Sequence, residues 1–254
     1  MRRFILLILP VFLVLSGSSM LHAVKIENGD VPDFSVGLNL SVGASDIEFE
    51  GVEGMENSLK STMILLEVDV DLFDAITVGF LAGYDMNSFG DPVYATGLPL
   101  SLSLERDTNS SMAFGISVRA EPFYFGKFSL GVNGQFLYVK RFKSEWVIDL
   151  PIVTGTAVEK HYYMKAGLEL LLQYDGLMGF TPFVGPHIHY LKGQLDLEEQ
   201  IESISAEQRL EYKQKNMFGV CAGARFEPLD NLQVEAKVYF ISQTAASVQV
   251  LYIF

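Results

Sequence analysis

From residue 34 to its end the chain alternates apolar residues with small or polar ones, stretch after stretch. A period of two places the two kinds of side chain on opposite faces of an extended strand, and it does not match the 3.6-residue repeat of a helix. In the first stretch Phe34, Val36, Leu38, Leu40 and Val42 oppose Ser35, Gly37, Asn39, Ser41 and Gly43. Residues 62–72 set Ile64, Leu66, Val68, Val70 and Leu72 against Glu67, Asp69 and Asp71, and 76–85 set Val78, Phe80 and Tyr84 against Thr77, Gly79 and Asp85. The same rule holds over 112–121, 128–141, 162–175 and 180–191, and the segments 217–227, 231–241 and 245–254 complete ten predicted strands. The 22 Gly, 19 Phe and 11 Tyr agree with this, because aromatic residues suit strands and glycine weakens helix interiors.

The links alternate in length. Short ones at 73–75, 122–127, 176–179 and 228–230 interleave with long ones near 47–61, 86–111, 142–161 and 192–216, and residues 242–244 are the exception. This is the pattern of an antiparallel up-and-down barrel with turns at one end and loops at the other. Two short links begin alike, Arg119-Ala120-Glu121-Pro122 and Arg225-Phe226-Glu227-Pro228, and read as a repeated hairpin. Residues 97–105 also alternate; we place them as a hairpin extension within a loop, so that ten strands are expected, with eight or twelve as the alternatives.

A net charge of -13, with no basic cluster beyond the first three residues, excludes the electrostatic footprint of a nucleic-acid binder. Arg2 and Arg3, the apolar run from Phe4 to Leu15 and the small residues up to Ala23 read as a signal peptide over 1–23, followed by one domain over 24–254. The apolar run falls short of the ~20 residues of a spanning helix. The single cysteine, Cys221, excludes an internal disulfide, and no later run is long enough for a membrane helix, so a membrane role must use strands.

Alternation alone does not say which face is inside. The chain ends Val248-Gln249-Val250-Leu251-Tyr252-Ile253-Phe254, apolar at every second position up to a terminal aromatic. Aromatic residues also mark both ends of the apolar faces: Tyr84, Tyr138, Tyr162 and Tyr190 beside the long loops, and Phe73, Phe128, Tyr174, Phe180, Phe226 and Phe254 near the short turns. Ten residues separate Phe128 from Tyr138 and Phe180 from Tyr190, enough for a tilted strand to cross the ~25 Å apolar band of a membrane barrel. The polar face is rich in Gly, Ser and Asn, which suits a narrow lumen better than a soluble surface.

In these features the chain resembles the small bacterial outer-membrane β-barrel proteins, of the OmpA-like and OmpW-like kind. The resemblance implies an outer-membrane location in a diderm bacterium, both termini in the periplasm, contact with outer-membrane lipid, and a C-terminal signal at Val250, Tyr252 and Phe254 read by the barrel-assembly machinery. A soluble barrel with its apolar face inward is the alternative.

With the polar face inward, the lumen receives Glu67, Asp69, Asp71, Glu121, Glu169, Glu227 and Glu235, together with Arg119, Lys165, Arg225 and Lys237. These charges form either a constriction that selects solutes or an ion-pair network that fills the barrel. His187 and His189 share the lumen face, but no second cluster at ligand spacing accompanies them, so no metal, cofactor or catalytic site is expected. The expected function is a narrow pore for small solutes or a structural membrane protein. A surface adhesin or ligand-binding barrel acting through acidic loops is the alternative, and a barrel enzyme is ranked below both. The loop 193–215 carries Leu197, Ile201, Ile204 and Gln208 at roughly helical spacing among glutamates, which fits a short surface helix or a protruding hairpin.

Overall fold

A computed structural model describes residues 34–254 apart from 51–55, 74–75, 92, 96–101, 105–108, 142–143, 150–153, 176 and 202–203, so the expected signal peptide lies outside the described residues. The strands are β1 (Phe34–Phe49), β2 (Glu56–Phe73), β3 (Ile76–Phe89), β4 (Val93–Ala95), β5 (Leu102–Leu104), β6 (Asn109–Phe125), β7 (Phe128–Lys140), β8 (Ser144–Asp149), β9 (Thr154–Tyr174), β10 (Phe180–Ile201), β11 (Ile204–Gln214), β12 (Phe218–Leu229), β13 (Leu232–Phe240) and β14 (Thr244–Ile253). Ten of them form a closed antiparallel ring in the order β1, β2, β3, β6, β7, β9, β10, β12, β13, β14. The ring shuts where β14 pairs with β1, from Ser35 opposite Ile253 to Ala44 opposite Thr244. Closure leaves no unpaired strand edge, which the hydrocarbon of a bilayer requires.

The remaining strands decorate the loop end. β4 and β5 pair with each other, in the region expected to hold a hairpin extension, and β8 lies along β9. The segment 193–215 is a hairpin, not a helix: β10 runs on to Ile201 and β11 returns along it, pairing at its end with β1 through Ile47↔Gln214, Glu48↔Lys213 and Phe49↔Tyr212. The apparent helical spacing arose from the few apolar residues near the hairpin tip, whereas the paired register follows a period of two.

The repeated Arg-x-Glu-Pro stretches both make β-bulges. The register shifts between Ala120 and Phe123 in one copy and between Phe226 and Leu229 in the other. Proline has no N–H to give to the ladder, so Pro122 and Pro228 are tolerated where the ladder is interrupted. The first link is therefore shorter than expected: β6 continues through its bulge to Phe125, and the turn is Gly126-Lys127, with Gly126 at φ 70°.

The outer face carries an apolar belt, with Leu38, Leu40, Val42, Leu66, Phe80, Phe114, Ile116, Leu170 and Val248 all exposed. Phe128, Phe180, Phe226 and Phe254 are exposed at the turn end, and Tyr84 and Tyr138 toward the loops. A closed barrel with such a belt between aromatic girdles is built to cross a membrane. Phe254 is tied into the closing seam: its N–H donates to the Phe34 carbonyl at 2.9 Å, and its ring meets Tyr252 edge-on at 4.9 Å. Deletion of Phe254 is expected to lower the heat-modifiable, folded fraction recovered from membranes; an unchanged fraction would show that the terminal aromatic is dispensable for assembly.

Above the belt the alternation inverts. On β1 the outward residues change from Leu40 and Val42 to Asp46 and Glu48, while Ile47 and Phe49 turn inward and are buried. On β10 the outward Val184 and Ile188 give way to Lys192, Asp196 and Glu198, while Leu191, Leu195 and Leu197 are buried inside. Strand direction and register do not change. Only the surroundings do, from lipid outside a polar lumen to water outside an apolar core.

Candidate functional site: the lumen chamber

At the turn end three cations sit among five acids. Arg119 reaches Glu67 at 3.3 Å and lies closer still to Asp69, whose carboxylate also accepts from Ser35. Glu67 accepts from Ser117 at 2.9 Å and from Gln249 as well. Arg225 bridges Glu121 at 3.0 Å and Glu235 at 3.4 Å. Lys237 bridges Glu235 at 2.9 Å and Glu169 at 3.1 Å, and Glu169 also accepts from Tyr239 and Asn133. The two arginines are those of the repeated motif, each in regular register just ahead of its bulge and facing the lumen by strand alternation. Charges in a low-dielectric interior persist only when paired and hydrogen-bonded, and this network meets that condition.

Two predicted lumen acids lie outside the network. Asp71 accepts from Thr77 at 2.5 Å at the exposed lower end, and Glu227 is exposed beside its turn.

At the loop end the lumen is closed by apolar packing. Ile47, Phe49, Leu59, Leu137, Leu195, Leu197, Leu210 and Tyr212 belong to one buried cluster, with Phe89 packed against it. The Tyr212 ring lies edge-on to Phe49 at 5.7 Å and to Phe89 at 5.8 Å, and its hydroxyl is 2.5 Å from His161 Nε2. This burial pushes the Tyr212 phenol well above its ordinary range. Tyr163 donates to Asp85 at 2.5 Å, and Asp85 also accepts from Ser61 and Asn87.

Between floor and roof lies a chamber of about 130 Å³. Ser41, Ser45, Ser61, Asn133, Gln135 and Ser247 line its polar side with Lys165, His187 and His189, the floor groups Glu67, Arg119, Glu169, Glu235 and Lys237 line its lower end, and Leu59, Met63, Leu65, Leu137 and Leu191 line its apolar side. The imidazoles of His187 and His189 stack at 5.7 Å, two positions apart on β10. His187 Nδ1 is held by Ser242 at 3.1 Å, and Gln214 donates to the Ser242 carbonyl at 2.6 Å. Ser242 closes a γ-turn through its N–H to the Phe240 carbonyl at 3.1 Å, around Ile241 at φ 77°. Among the described residues no three or more His, Cys, Asp or Glu side chains are grouped to hold a metal ion.

The structure thus brings Glu67, Asp69, Arg119, Glu121, Glu169, Arg225, Glu235 and Lys237 together in the floor, and Lys165, His187 and His189 in the chamber. The sequence reading missed the roof residues Tyr212, His161 and Leu195, and Ser242 with them. The signal for the roof was present in the shift of the apolar residues from even to odd positions along 184–197 and 34–49.

The outer face of the β10–β11 hairpin is charged but matched. Lys213 lies 3.2 Å from Glu48 and 3.6 Å from Glu50, Lys192 lies 3.0 Å from Glu211, and Lys215 lies 2.7 Å from Glu56. The hydrogen bond to Glu48, with the charges of Glu48 and Glu50, holds the Lys213 ammonium above its ordinary range. These pairs are solvent-exposed, so Lys213→Ala is expected to leave the urea-unfolding midpoint of the detergent-solubilised protein essentially unchanged. A clearly lowered midpoint would assign the hairpin's docking to its charges and not to its apolar core.

No protein-family profile and no curated protein matches the chain. Solved structures do. The outer membrane protease OmpT from Escherichia coli superposes with a TM-score of 0.50 at 10% identity, over 89% of this chain and 99% of that one. The translocator domain of the autotransporter NalP from Neisseria meningitidis gives a TM-score of 0.47 at 12% identity, covering 97% and 95%. An outer membrane channel from Pseudomonas putida gives 0.40 at 12% identity, covering 91% and 98%. The fold is that of an outer-membrane β-barrel.

Proposed function

We propose that this integral outer-membrane barrel is a narrow conduit for small solutes, seen here in a closed state. The observation that carries the reading is the chamber. The floor fills the lumen with charges that pair with one another, leaving Asp69 Oδ1 as the one floor carboxylate oxygen without a partner among the described residues. The chamber instead leaves space and unpartnered polar groups between two closures of different chemistry. Passage requires that the roof loosen, and the roof is held in part by a hairpin end that, among the described residues, meets β1 through three register pairs flanked by backbone hydrogen bonds from Lys215 to Asp46 and from Glu50 to Glu211. In this reading the outward-facing, exposed side chains of Val250, Tyr252 and Phe254 serve the barrel-assembly machinery.

Proteoliposome swelling tests it. Vesicles containing the refolded protein, shrunk in an osmotic step with glycerol and with a pentose, are expected to re-swell faster than protein-free vesicles, and glycerol faster than the pentose. Verified insertion with no acceleration for either solute would favour a purely structural barrel.

A further inference from the structure

We infer that the chamber is a binding site for a small apolar monoanion, a compact aromatic or branched carboxylate whose head group meets Lys165 and His189. The inference rests on the conduit reading and names the class of solute. It starts from an imbalance inside the lumen. Every other cation singled out there has a carboxylate within ion-pair distance: Arg119, Arg225 and Lys237 all do. Lys165 lines the chamber, but no ion pair or hydrogen bond is made by its ammonium among the described residues. Asp85 is the acid that acts on it, and the Asp85 oxygens are taken by Ser61, Asn87 and Tyr163. Beside Lys165 is His189, 3% exposed, with neither ring nitrogen hydrogen-bonded. A buried polar group without a partner is costly and calls for an explanation. Lys165 and His189 line one cavity, and an anionic acceptor bound between them would pair the ammonium and take a hydrogen bond from one of the unpartnered imidazole nitrogens.

The rest of the chamber limits what the anion can be. One uncompensated cation calls for one negative charge, and the floor, with five acids to three bases, repels a second. The head group therefore sits on the roof side, toward Lys165. There the wall is Leu59, Met63, Leu137 and Leu191, with the Tyr163 ring, so the remainder of the ligand must be apolar. The volume of about 130 Å³ sets the size. An apolar cavity of about 150 Å³ takes up benzene, so a single ring fits and a long acyl chain does not.

The test uses the full mature chain, refolded in detergent in the presence of the probe so that roof opening does not limit access, and then brought to equilibrium. Benzoate is the probe, with benzamide as its neutral counterpart and acetate as the head group without the ring. Binding is followed by saturation-transfer NMR and by the shift in thermal unfolding. Benzoate is expected to bind at least roughly tenfold more tightly than benzamide or acetate, a difference of about 1.4 kcal/mol. Lys165→Met should remove that preference while retaining the heat-modifiable fold, since it deletes a charge with no partner to strand. His189→Phe should weaken benzoate binding with Lys165 intact. Equal binding of benzoate and benzamide, or a benzoate affinity unchanged in Lys165→Met, would overturn the inference, as would absence of binding with only water filling the chamber. The swelling assay separates this from the parent reading. Re-swelling with glycerol but no benzoate preference leaves the conduit and removes the anion site, whereas benzoate binding without any re-swelling leaves a ligand-binding barrel that does not conduct.

Discussion

Lys237→Met is expected to lower the unfolding free energy by about 3–5 kcal/mol, the cost of breaking a buried ion pair from one side. Lys237 sits between Glu169 and Glu235, and its ammonium lies 5.6 Å from the centre of the Phe183 ring. Methionine keeps the length of the stem and removes only the charge, so packing is nearly conserved and the loss reports on electrostatics. Glu235 retains Arg225, but Glu169 keeps only the neutral donors Tyr239 and Asn133. The double variant Lys237→Met with Glu169→Gln is therefore expected to recover part of the loss. Urea unfolding in detergent, followed by the gel shift of the folded barrel, measures both. A loss below about 1 kcal/mol, as for an exposed pair, would mean that water freely solvates the floor's ion pairs.

Tyr212→Ala is expected to have its main effect on permeability. The side chain is fully buried, and truncating a buried aromatic costs about 3–5 kcal/mol. That cost falls on the docking of β11, because the register that joins β11 to β1 ends at the pair Phe49↔Tyr212. The ten-strand ring does not use this contact, so the heat-modifiable fold is expected to persist while the roof loosens. Glycerol re-swelling should then accelerate severalfold over the unaltered protein, and Tyr212→Phe, which keeps the ring and loses only the hydroxyl near His161, should fall between the two. An unchanged rate in Tyr212→Ala would place the barrier elsewhere, in the floor.

The sequence disclosed the barrel because a membrane barrel depends on a short-range rule. Alternation at Phe34 to Val42 or Ile64 to Leu72 is visible without knowing any partner strand. The ring of ten strands and the apolar belt follow from that rule together with the alternating loop lengths. Strand ends were less legible. β1, β9 and β10 run six to ten residues past their expected limits because the alternation continues there with inverted polarity, and a search for one apolar face reads the inversion as a loop. The charged residues of the lumen could be assigned to a face, but their partners could not. Arg225 with Glu121 and Lys237 with Glu169 are pairs across the barrel, separated by 104 and 68 residues. The chamber was least legible of all. It depends on which charge is left without a partner, and that emerges only when every other pairing is known.

Single-channel recording in planar bilayers tests the central claim, that a closable chamber connects the two ends of this barrel, most directly. The account predicts long silent periods broken by brief, small, discrete openings for the unaltered protein, and a sustained open level for Tyr212→Ala. Verified insertion with both proteins silent at all voltages would contradict it and identify the barrel as a filled membrane anchor.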